Sequence, residues 1–287
     1  MTARMLPGGE RPRQGMRGFG LIELMIAMVL GLIVIGAAFA VFLSNQNTFR
    51  ANEGLNRIQE SARVAFELMS RDIRAAGGSA CSNASVVDST GAQSTAFRDA
   101  PVSGSANELT VVSGDDTAYR VVSSTNSSVT LEETDELEEA SDAFSEDDWI
   151  LLCNANKTYI VQATGVSGMT VSYDTLPYDP TTDPYAPPAA VVLARFRNVR
   201  WFVQSNERGN SLYVSRMGGA AEEVAEGVQS VRFRYLTRGA NSYVDAPGNW
   251  AEVVAVRIEM TLQGLDIDGQ ALTRSASNVV SLRGRTL

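Results

Sequence analysis

The sequence predicts an α+β chain: a long N-terminal helix packed on an antiparallel β-sheet head, with an additional β-rich region. Three observations predict it. Residues 24–43 run for twenty positions without a charge or a proline. Residues 44–76 then place apolar side chains at steps of three and four, again without proline. From Gly77-Gly78 onward the texture changes to short β-rich runs separated by Gly, Ser, Asn and Asp.

In chain order, residues 1–18 come first as a basic leader. Arg4, Arg11, Arg13 and Arg17 stand there against Glu10 alone. Residues 19–43 follow as a membrane-spanning helix. Twenty helical residues cover about 30 Å, the thickness of a bilayer's hydrocarbon core. Arginines on one side and net acid on the other put the N-terminus in the cytoplasm and the bulk of the chain outside the inner membrane. A cleaved secretory signal is one reading of this segment, with Ala38-Phe39-Ala40 as its A-x-A pattern. A simple signal anchor and a buried helix of a soluble protein are others. None of them explains Glu23. A carboxylate in a span costs about 2.5–3.5 kcal/mol at the centre and less near the interface, so it calls for a positive partner. If the chain were cut after Gly18, the new α-amino group of Phe19 would lie about one helical turn away.

Residues 44–77 are predicted as an amphipathic continuation of that helix. Leu55, Ile58, Ala62, Ala65 or Phe66, Met69 and Ile73 form an apolar stripe. Arg57, Glu60, Arg63, Glu67 and Arg71 line the opposite face, several at i, i+4 spacing with opposite sign. Gly77-Gly78 supplies the stop. A helix from about Phe19 to Ala76 would be roughly 85 Å long. Gly31 and Gly36 would permit close helix contact in its first half. A coiled-coil stalk is the alternative reading of the second.

Residues 78–287 make the β-rich head. Strands are expected at 108–113, 119–124, 128–133, 149–153, 158–163, 169–174, 191–204, 211–216, 228–237, 251–264 and 278–283. In the tenth of these, Val254, Val256, Ile258, Met260 and Leu262 alternate with Ala, Arg, Glu and Thr, the pattern of a half-buried antiparallel strand.

Composition narrows the chemistry. The chain carries 24 Lys or Arg against 33 Asp or Glu, a net −9, and 23 of its cations are Arg beside the single Lys157. That balance argues against a nucleic-acid scaffold. There is no histidine, which removes the most frequent general base and the commonest zinc ligand. Nucleophile-elbow, Walker A, dinucleotide and C-x-x-C motifs are missing too. We therefore expect no catalytic residue, no cofactor and no metal site. Cys81 and Cys153 would meet an oxidising compartment, where pairing is the default expectation and two buried free thiols the alternative. Such a bridge would close roughly 73 residues.

Four stretches invite functional readings. The run 131–149 holds ten carboxylates and could bind calcium, but it lacks EF-hand spacing and reads first as a solvated loop. "DIDG" (266–269) reads as a hairpin turn before a calcium fragment. The Pro- and Tyr-rich 176–190 is a stiff surface loop or a partner-binding surface. In 195–201, Arg195, Arg197 and Arg200 stand beside Phe196 and Trp201, which fits a half-exposed strand or a contact with single-stranded nucleic acid.

The junction "GFGLIELMIAMVLGLIVIG", with Gly18, Phe19 and Glu23, resembles the class III leader of type IV pilins and pseudopilins. Gly20 stands where the family usually has Thr, and Ala40 where many major pilins have Pro. The resemblance implies cleavage between Gly18 and Phe19 by a prepilin peptidase, N-methylation of Phe19, and pairing of Glu23 with the amino terminus of a neighbouring subunit. "AFELMSRDIRAAGGSAC" (65–81) is similar to PilW-type minor pilins. "EGVQSVRFRYLTRG" (226–239) with "WAEVVAVRIEMTL" (250–262) fits both those and the J-type minor pseudopilin of type II secretion. The function implied by the resemblance is that of a minor pilin that helps initiate pilus assembly at the tip with other minor pilins. Its partners would be those subunits and the major pilin through the N-terminal helix, and the inner membrane before assembly. A pseudopilin is the nearest rival, and a membrane-anchored adhesin with a surface ligand is a rival of another class.

Overall fold

A computed structural model describes residues 20–81, 85–88, 91–176, 190–267 and 270–283. Of residues 265–267, 270 and 271 only the backbone is described. The leader and Phe19 lie outside the described residues, as do 177–189 of the Pro- and Tyr-rich stretch and Asp268-Gly269 of the hairpin. The chain forms two units, Met1–Asn52 and Glu53–Leu287.

Helix α1 spans Leu21–Ala75. The first unit is its N-terminal part, where every Leu, Ile, Met, Val and Phe from Leu21 to Leu43 is between 48 and 81 % exposed. From Glu53 the helix belongs to the second unit, and its stripe is packed. Ile58, Ala62, Ala65, Met69 and Ile73 are buried, while Arg57, Glu60, Arg63, Glu67 and Arg71 face solvent. The helix ends where the two glycines predict. Gly77 takes a φ of +66°, and a Cβ there would come within 3.1 Å of the Pro101 Cβ, so only glycine fits both demands.

The second unit continues with β1 (Val86–Val87), α2 (Ala92–Asp99), β2 (Val102–Gly104), β3 (Glu108–Ser124), β4 (Ser128–Leu131), β5 (Trp149–Cys153), β6 (Lys157–Ser167) and β7 (Thr170–Tyr173). Then come β8 (Val192–Asn206), β9 (Gly209–Arg216), β10 (Glu222–Glu226), β11 (Val228–Thr237), β12 (Val253–Ile267) and β13 (Gln270–Ser281). Among the described residues all pairings are antiparallel except β1 with β6.

Two of the buried cores follow from these pairings. β11, β12 and β13 form a three-stranded sheet whose Val231, Phe233, Tyr235, Val256, Ile258 and Met260 share one buried cluster with the stripe of α1. The first part of β3, the second part of β8, and β9 contribute Leu109, Val111, Trp201, Leu212 and Val214 to the same cluster. This is the helix-on-sheet arrangement of the predicted α+β class. The second core belongs to the additional β-rich region. β3 pairs with β4, β4 with β7, β7 with β6, β6 with β5, β5 with β8, and β8 with β3 again. Six strands thus close on themselves and leave no edge within the ring. Their Val121, Val129, Leu152, Tyr159, Val171 and Leu193 pack with Leu137, Ala140 and Phe144 from the acidic stretch between β4 and β5. That stretch is therefore solvated only on its carboxylate side. Its apolar residues help fill the ring, and its two less exposed carboxylates, Glu132 and Asp148, are ion-paired to Arg120 and Arg195.

A disulfide joins Cys81, just beyond the helix, to Cys153 at the end of β5, with a Cα–Cα distance of 6.1 Å. It ties the exit of α1 to the six-stranded ring.

Candidate functional site

The chain's most unusual surface is the first part of α1. It offers sixteen large apolar side chains to its surroundings, none of them covered by the described residues. Leaving one such side chain in water instead of burying it forfeits about 1.5–3 kcal/mol, so the whole segment forfeits on the order of tens. No folded chain tolerates that in water, so lipid or other protein must surround these residues. The mean hydropathy of the best 18-residue window is 2.9, and the helix is long and apolar enough to cross a membrane. Gly31 and Gly36 sharpen the point. A Cβ added to either meets nothing within 4 Å, so no described residue requires their small size. Close approach of another helix is a physical reason for it.

Glu23 sits in the first turn of α1, exposed, with its N–H bonded to Gly20 O at 3.0 Å. At that end of a helix a carboxylate is favoured by the dipole. Its side chain has no ion-pair partner among the described residues. Gly18 and Phe19 lie outside them, so the cleavage and methylation positions have no described geometry.

Several side chains elsewhere that could have carried chemistry are engaged internally. In 195–201, Arg195 holds Asp148 at 3.3 Å, Arg197 holds Asp72 at 3.4 Å, and Arg200 grips Glu108 through two bonds of 2.6 and 2.7 Å. Phe196 and Trp201 are buried. The side chains that a nucleic-acid strand would need are thus already committed to the fold. Among the described residues no group of three or more His, Cys, Asp or Glu is placed to hold a metal ion. Tyr235 is buried, its hydroxyl donating to Ser105 O at 3.1 Å, and its ring meets Trp250 edge-on at 4.8 Å.

Sequence reasoning missed one residue, Asp72. It lies on the packed side of α1 with its side chain 6 % exposed. Trp201 Nε1 donates to its Oδ2 at 3.0 Å, and Arg197, which also faces Asp115, reaches its Oδ1. Burial pushes this carboxyl above its ordinary 3.8, against the opposing pull of Arg197 and the Trp201 hydrogen bond. A carboxylate on an otherwise apolar stripe, one step before Ile73, was the available signal.

Residues 13–39 match the family described as the prokaryotic N-terminal methylation motif. The matched stretch contains Gly18, Phe19 and Glu23 and runs into the exposed part of α1. It supports a type IV pilin-like or pseudopilin protein, and with it membrane anchoring and dealings with a prepilin peptidase and pilus components in general. No curated protein and no solved structure matches the chain.

Proposed function

We propose that the chain is a minor pilin, most like the PilW type, that helps initiate type IV pilus assembly in a tip or priming complex with other minor pilins. The observation that carries this reading is the methylation motif running into an apolar helix whose first part no described residue covers. A prepilin peptidase cuts between Gly18 and Phe19, and Phe19 is then N-methylated. Before assembly the apolar helix keeps the subunit in the inner membrane with the head in the periplasm. Extraction exchanges lipid for the helical core of a filament, so the apolar residues never meet water. That exchange is close to neutral for them, because lipid and protein interior are similarly apolar. Glu23 differs, since its charge needs a partner on leaving the interface. The amino terminus of a neighbouring subunit supplies it, and the pair fixes the axial register between helices. The work of the chain is assembly, not catalysis, and twitching motility is its outward sign.

Mass spectrometry of the mature N-terminus tests this directly. Methylated Phe19 is the expected start; an intact leader, or a start at Val41, would sink the reading. Glu23→Ala should leave cleavage and insertion intact but lower incorporation into filaments at least about tenfold. Deleting the gene and scoring motility against export of secreted enzymes separates a pilus subunit from a minor pseudopilin of type II secretion.

A further inference from the structure

The protein treats the edges of its sheets unequally. β2 and β10, at the ends of the large sheet, are only three and five residues long. The outer side of β11 is covered, with Phe233 N–H donating to Ala106 O and Tyr235 N–H to Val244 O. These are ordinary ways of blunting an edge. β13 is different. It is twelve residues long, and among the described residues it is bonded to β12 on one side only.

Leu282 N–H donates to Val254 O, which fixes the phase of the ladder. In an antiparallel pair alternate residues turn their backbone groups to opposite sides. Ser275, Ser277, Val279 and Ser281 therefore direct N–H and C=O away from β12. Asn278 Oδ1 accepts the Val279 N–H at 2.8 Å. Among the described residues the outward N–H groups of the three serines have no partner. No proline, lysine or carboxylate guards the strand, and its register with β12 is regular from Thr273 to Ser281.

Charge marks the two ends of this edge. Arg274 lies near one end and Arg283 just past the other, where its N–H reaches Arg74 O at the end of α1. None of these three guanidinium groups has an ion pair among the described residues, whereas Arg197, Arg200, Arg208, Arg216 and Arg232 each hold a carboxylate. We infer that the open edge of β13 is a strand-addition site for an extended segment of a different protein chain, with carboxylates at or near both ends. With cations at both ends of the edge, parallel and antiparallel addition are both served. A second copy of this chain fits badly: β13 has no carboxylate, so pairing it with itself would leave Arg274 and Arg283 without counter-charges. The inference uses no residue of the N-terminal segment and stands apart from the assembly reading.

The test uses the full chain in detergent micelles. The probe is a peptide of roughly ten residues, the length that spans Arg274 to Arg283 as a strand. It alternates Thr and Val and carries Glu at both ends; a Lys-ended twin is the control. The Glu-ended peptide is expected to bind at least about tenfold tighter than its twin, and to slow hydrogen exchange at the Ser275, Ser277 and Ser281 amides. Ser277→Pro removes an outward N–H that the β12 ladder does not use, and should abolish binding. Arg274→Glu is a surface change that should narrow or reverse the preference between the peptides, and it carries the test if the proline variant misfolds. Equal binding of both peptides, or protection confined to other amides, would overturn the inference. So would protection of the same three amides in concentrated protein without peptide, which would mean self-pairing.

Discussion

Residues 24–43 and 58–75 lie on one helix and are both rich in apolar side chains, yet they meet opposite fates. In the second stretch Ala65, Met69 and Ile73 are wholly buried against the three-stranded sheet. In the first, Ile33 and Val34 are 62 and 67 % exposed. The glycines repeat the contrast. A Cβ on Gly264 would lie 2.9 Å from the Ile58 side chain, while one on Gly31 or Gly36 would touch nothing. Distribution around the helix explains the difference. An apolar stripe of limited width can be covered by one sheet face, but a helix that is apolar all round needs surroundings on every side. The packed stretch is thus complete within the chain, and the exposed one is complete only in lipid or in an assembly.

The largest test of that contrast pairs two substitutions of one type. Ile73→Ala should cost the head about 4 kcal/mol, through lost burial and a cavity. Ile33→Ala should change head stability by less than about 0.5 kcal/mol. Denaturant melts followed by the near-ultraviolet signal of the buried Trp201 report both, and equal losses would break the comparison. Next comes the disulfide at the exit of the packed stretch. Replacing Cys81 and Cys153 with serine together should lower stability by about 3 kcal/mol, seen as a lower melting temperature that reducing agent no longer shifts.

Asp72 gives the smallest and most specific effect. Asp72→Ala leaves Trp201 Nε1 and part of Arg197 without an acceptor and should cost about 2 kcal/mol. Asp72→Asn keeps an acceptor for Trp201 and sheds the burial of a charge, so it should cost less than about 1 kcal/mol. Burial raises the folded-state value of this carboxyl above 3.8, so the folded chain takes up the proton at higher pH than the unfolded chain does. Its contribution is fully present below the unfolded value and declines as pH rises through the folded one. Melts across that window should therefore show a slope in the parent chain that Asp72→Asn removes.

Much of this was legible because it is local. The stripe of α1, the stop at Gly77 and the bounds of β5 and β11 follow from periodicity and turn residues that lie side by side in sequence. What escaped depends on partners far along the chain. The runs 108–113 and 119–124 read as two strands. They form the single strand β3, because β8 pairs with both parts across an irregularity between Gly114 and Ala118. The closed ring was hidden for the same reason, since no local pattern announces that β8 returns to β3. α2 buries only Ser94 and Phe97, too little to leave a periodic signal. At the exposed end, Glu23 was conspicuous for a simple reason: a lone carboxylate beside twenty uncharged residues needs no distant partner to be noticed.

Tension gives the bridge between Cys81 and Cys153 a further meaning. In the proposed assembly, a subunit held by its N-terminal helix and pulled by its head bears load through the chain that leaves α1. Without the bridge, the chain from Cys81 to Cys153, 72 residues apart, could be drawn out by on the order of 250 Å. With it, the pull passes from Cys81 straight to Cys153, and β1 to β5 sit in a covalent loop that carries no load. A force that would unravel an unbridged head strand by strand would meet a fixed length of chain instead.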